Sequence, residues 1–195
     1  MLRLIPGMIV GVLLLVAGVF AWFQFGHPPV AVADAPFPHE EMITSIPLKA
    51  RIHREMITTP PLQANEANLA SGAHLYRQQC AACHGLYSQH SSFGQHMYPP
   101  APSLWEKHAN NDVVGVSDDA PGETYWKVAN GIRLTGMPAY KAVMTEAEMW
   151  QVSLLLANAD KPLPPSVIDL IRQPLPVAAP TSPATPPALP RPTGK

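Results

Sequence analysis

The sequence predicts an all-α fold, and three stretches carry that prediction. Residues 66–79 place Leu69, Ala73, Tyr76 and Gln79 three and four apart, the period of one helix face, with Asn65 or Asn68 available as N-cap. Asp118 and Asp119, followed by Pro121-Gly122-Glu123, open a second helix with proline in its first turn and acids at the positive end of its dipole. That helix runs through Tyr125, Trp126 and Ala129 and stops at Asn130-Gly131. Thr145-Glu146-Ala147-Glu148 is a capping box. Beyond it Met149, Val152 and Leu156 line one helix face and Trp150 with Leu154 the neighbouring one, ending near Asn158.

The rest of the chain is built differently. Its 195 residues carry 24 prolines, clustered outside the middle, which divides the sequence into a compact centre and extended arms. The expected layout is a membrane anchor or signal peptide over 1–28, an extended linker over 29–64, the helical domain over 65–160 and a Pro-rich tail over 161–195. Formal net charge is only −1, so no basic patch argues for a nucleic-acid partner.

Leu4 to Phe25 is 22 residues without a charge, preceded by Arg3. As a helix it would cover about 33 Å, close to the hydrocarbon thickness of a bilayer. Arg3 on one flank predicts an inside N-terminus and an exported remainder. Ala31-Val32-Ala33 has the small-x-small form of a leader cleavage site, but the apolar run is longer than such leaders use, so an uncleaved anchor is the expected state. Between anchor and domain, Pro36, Pro38, Pro47, Pro60 and Pro61 interrupt a stretch with no sustained periodicity, read as extended linker with solvated His39 and His53. After the domain, Pro164-Pro165 stops the last helix and residues 166–172 form at most one short helix more. Eight prolines in the 22 residues from Pro174 to Lys195 predict a disordered or polyproline II tail acting as spacer.

The chemistry concentrates in Cys80-Ala81-Ala82-Cys83-His84, which holds both cysteines of the chain. Cys-x-x-Cys-His is a c-type haem attachment pattern. Two thiols three positions apart can each form a thioether to one edge of a porphyrin, and the adjacent His84 is then presented to the iron. A zinc site would want a second ligand pair, which is missing, and a redox dithiol belongs beside a strand in a βαβ unit, whereas the surroundings here read as helix and loop.

With the pentad, the Gly72/Tyr76 pair and Asn130-Gly131-Ile132-Arg133-Leu134-Thr135-Gly136-Met137-Pro138-Ala139-Tyr140, the stretch 65–160 resembles the class I monohaem cytochromes c of bacterial periplasms. The resemblance implies a class I cytochrome c fold, three to five helices around one covalent haem c with the terminal helices crossed at right angles. It implies iron held by His84 and Met137, and electron transfer as the task. Pro102, in Pro102-Ser103-Leu104, would accept a hydrogen bond from His84, and Leu104 would pack on the haem face.

Read from the residues, Met137 lies 53 positions beyond His84 between Gly136 and Pro138. The glycine permits close approach of backbone to porphyrin and the proline stiffens the loop. A thioether ligand favours ferrous iron and a relatively high potential. His90, His96 and Met97, in the loop between the two ligands, are conceivable alternatives but read as solvated or packed side chains. The indole N–H of Trp126 needs a partner if buried, for which a haem propionate is the expected one. Trp150 is expected to fill the gap left by Gly72 where the terminal helices cross.

The function expected is that of a one-electron carrier, not an enzyme, since no distal acid or base is identifiable for catalysis at the iron. It would sit on a bacterial cytoplasmic membrane with its haem domain in the periplasm and would exchange electrons with a dehydrogenase or terminal oxidase. The alternative is the haem subunit of such a membrane-bound complex.

Overall fold

The structure, a computed structural model, describes residues 4–175. Arg3 and most of the Pro-rich tail, with the readings made on them, lie outside the described residues. Among the described residues the protein is all-helical, with isolated bridges at Leu86–Gln89 and Lys107–Val114 and no strand. Two units divide the chain, one ending at Arg54 and the other beginning at Glu55.

The first unit holds α1 (Leu4–Phe25), of which Ile5–Phe25 is long and apolar enough to cross a membrane, with a mean hydropathy of 2.3. It also holds nearly all of α2 (Glu40–Glu55), which corrects the expectation of an extended linker. Pro47, read as a breaker, lies inside α2. The signals favouring helix are at its ends: Glu40 and Glu41 in the first turn, His53 and Arg54 in the last, and a Glu40 carboxylate accepting from the Phe37 amide at 2.8 Å.

The second unit is organised by α3 (Glu66–Gln79) and α7 (Glu146–Leu156). The Asn65 side chain accepts from the Asn68 amide, and the Thr145/Glu148 capping box is formed in both directions. Where the two helices meet, Gly72 is needed: a Cβ there would collide with the Gln151 carbonyl oxygen and stand 3.3 Å from the Leu155 Cβ. The gap is therefore closed by the backbone of α7 and not by Trp150. The Trp150 ring, fully buried, instead stacks on Tyr125 at 4.2 Å with the planes 12° apart.

α6 (Pro121–Asn130) packs against the other side of α7 and ends at Gly131, whose φ of +65° is a left-handed conformation favouring glycine. Its first turns are braced by Lys127, whose ammonium sits 2.7 Å from Asp119 and 2.8 Å from Glu123. The unit reaches past the expected boundaries at 65 and 160. α8 (Pro165–Arg172) places Val167 and Ile171 in the core, and its Leu170 carbonyl accepts from Arg77 at 2.7 Å. At the other end, the bare side of Gly122 lies against the Ile57 carbonyl, and Leu62 packs on the core.

Candidate functional site

The C-terminus of α3 delivers Cys80 directly into α4 (Ala81–His84), a single turn. The amides of Cys83 and His84 both bond the Cys80 carbonyl, at 3.1 and 2.9 Å. A helical turn brings residues three and four apart onto one face, so the two half-buried thiols and the imidazole leave the backbone together. Gly85, at φ +73°, reverses the chain immediately after His84, and its carbonyl accepts from the buried Tyr76 hydroxyl at 2.8 Å. Tyr76 meets the Trp105 ring edge-on at 5.7 Å, and burial holds its phenol well above the usual range. Burial, with Cys83 as the lesser cause, pushes the Cys80 thiol up to about 12.

The His84 ring is fixed by its Nδ1, 2.8 Å from the Pro102 carbonyl. A carbonyl only accepts, so Nδ1 carries the proton and the lone pair belongs to Nε2. Burial lowers the His84 pKa and the bond to Pro102 opposes this, so the neutral imidazole is favoured. Leu104, two residues beyond Pro102, is buried in the core.

Met137 sits half-buried on a loop with its own internal bonds. The Thr135 hydroxyl donates to the Ile132 carbonyl at 2.7 Å and accepts from the Met137 amide at 3.1 Å. The loop is seated on Gly131, where a Cβ would stand 2.8 Å from the Met137 carbonyl oxygen. Beyond Pro138, the Tyr140 hydroxyl donates to the Gln79 carbonyl at 2.7 Å, tying the Met137 segment to the end of α3 one residue before the pentad. Gly136 does not keep a bare face for a cofactor: the methyl of Met97 lies in the position its Cβ would take.

Residues 67–154 match the family described as cytochrome c oxidase, cbb3-type, subunit III. They form a class I monohaem c-type cytochrome domain. No curated protein and no solved structure matches the chain. A cytochrome c-type domain implies haem-based electron transfer, and the helical architecture described above is consistent with a cytochrome c fold.

The residues of the cytochrome domain fit a haem at the pentad. Both cysteines are free thiols on the face that presents His84, and the proton on Nδ1 leaves Nε2 as the nitrogen available to iron. When bound, haem supplies a one-electron ferric/ferrous couple. The chain itself supplies an imidazole held by the Pro102 carbonyl.

Trp126 is placed elsewhere. Its indole N–H donates to the Glu55 carboxylate at 2.9 Å, a partner not read from the sequence. Trp126 and Glu55 line a cavity of about 290 Å³ with Met56, Tyr125 and Met149, and neither the pentad nor Met137 reaches it.

Sequence reasoning passed over three supports of the site. Tyr140 and Gln79 are 61 positions apart, and no local pattern pairs them. Gly94, in the short turn α5 (Ser92–Gln95), has its bare side against the Cys83 carbonyl. Met97, a conceivable ligand by sequence, instead packs its methyl on Gly136, 39 positions away. An extra glycine in a polar loop was the one signal available.

Proposed function

We propose that the chain is a membrane-tethered one-electron carrier, with one haem c bound covalently through Cys80 and Cys83 and its iron held by His84 and Met137. The observation that carries this reading is the Tyr140–Gln79 bond, which anchors the Met137 loop beside the turn that presents His84. Leu104 supplies an apolar wall, and Pro102 holds the imidazole and raises its basicity. The apolar helix Ile5–Phe25 anchors the chain to a bacterial cytoplasmic membrane, with the haem domain on the periplasmic side.

Its partners are redox proteins, a dehydrogenase or a terminal oxidase. Residues 65–160 carry five Lys/Arg against nine Asp/Glu, which disfavours docking on an acidic surface. Phe93, beside Gly94, and Leu134, two residues before Gly136, are exposed large apolar side chains and supply an apolar contact for the partner. A second reading, favoured by the description of the matched family, makes the chain the haem subunit of an oxidase complex.

The ferric optical spectrum tests the ligand set. A methionine-to-iron charge-transfer band is expected and should vanish in Met137→Ala. A band that survives that substitution overturns the assignment.

A further inference from the structure

We propose that Met97 is a positioning residue for the axial loop, a strut that spans from the haem-attachment turn to Gly136 and holds Met137 in place. This rests on the reading of Met137 as the sixth ligand.

The strut is a continuous line of contacts. The bare side of Gly94 is pressed on the Cys83 carbonyl, and the 3.2 Å between a Cβ built there and the Ala101 Cβ shows the turn is held from both sides. From Gly94 the chain continues three residues to Met97, whose amide donates back to the Gly94 carbonyl at 3.3 Å. The Met97 side chain then reaches across to Gly136, where its methyl occupies the Cβ position and its sulfur lies 3.4 Å from that point.

Gly136 is itself exposed and Met97 half-buried, so the thioether of Met97 is a packing contact made on an otherwise open stretch of loop. The chemistry suits the task. A long unbranched side chain can fill an irregular gap against a loop at little steric risk. The loop's own bonds, through Thr135 and Gly131, fix its base and shape, whereas Met97 presses on the residue next to the ligand. It thereby couples the segment after the proximal histidine to the distal ligand. Loosening it would raise the fraction of time the iron–sulfur bond is open, without removing either ligand.

The test uses the full-length holoprotein with Gly136→Ala, Met97→Ala, Met97→Leu and the Gly136→Ala/Met97→Ala pair, and Met137→Ala as reference. The readouts are the ferric charge-transfer band and the rate of carbon monoxide binding to the reduced protein, with far-ultraviolet circular dichroism confirming the fold. Met97→Ala is expected to keep the band but speed carbon monoxide binding about tenfold, the factor that a loss of about 1.4 kcal/mol gives. Met97→Leu, which keeps an apolar side chain of similar volume, should stay near the parent. Gly136→Ala displaces the terminal methyl of Met97, which can swing aside, so it should keep the band and speed carbon monoxide binding, and adding Met97→Ala should speed it little further.

Parent-like carbon monoxide kinetics in Met97→Ala or in Gly136→Ala overturns the strut while Met137→Ala still abolishes the band. If instead Met97→Leu abolishes the band and Met137→Ala retains it, Met97 is the ligand, and the reading of Met137 fails with the strut.

Discussion

The hydroxyl of Tyr140 is a small group with a long lever. Its bond to the Gln79 carbonyl joins positions that the sequence separates by 61 residues, and burial, with the two cysteines as lesser causes, pushes the phenol up to about 12, so it stays a donor at neutral pH. Tyr140→Phe should cost about 1 kcal/mol in a urea unfolding series, the net worth of one hydrogen bond. It should also increase carbon monoxide access to the reduced haem, and unchanged access would detach Tyr140 from the site. At this scale the sequence is legible where chemistry is contiguous. Cys80 through His84 stand out because a Cys-x-x-Cys-His pattern has a fixed spacing. The Trp126–Glu55 bond crosses 71 positions and no spacing rule encodes it, so a propionate was the nearest partner the motif could suggest.

At the scale of elements, helix ends were readable because caps are local. Asn65, Pro121, Gly131 and the Thr145/Glu148 box stand where the helices start and stop. The crossing of α3 and α7 was only half readable. Gly72 marks where backbones approach, but which residue of α7 faces it depends on the rotation of that helix about its axis. With Met149, Trp150 and Val152 through Leu156 all buried, α7 has little polar face to announce that rotation. Gly72→Ala therefore drives a methyl into the Gln151 carbonyl, which cannot swing aside as a side chain would. The expected cost is about 1–3 kcal/mol in denaturant or thermal unfolding of the holoprotein, and a neutral result would mean the helices can part freely. α2 was missed because Pro47 outweighed the charge pattern at its two ends.

For the molecule as a whole, composition says little of where the packed core ends. Val167 and Ile171 belong to a core that the prolines before them seemed to close off, and burial of that kind depends on tertiary packing. The excess of acidic over basic residues sets an expectation for kinetics. Electron exchange with a partner through apolar contact should change less than about tenfold between low and physiological salt, where steered association changes by one to three decades. Stopped-flow oxidation across ionic strengths measures this, and a steep acceleration at low salt would point instead to a strongly basic partner.

The helical state of α2 has a consequence for reach. Over its 16 residues the chain rises about 24 Å as a helix, where an extended strand would run about 53 Å. Ile57 and Leu62, packed within the second unit, contribute no slack either. The 40–55 stretch is therefore roughly half as long as an extended chain of the same residues would be, so any reach assigned to it has to be reckoned at the rise of a helix and not at that of a linker.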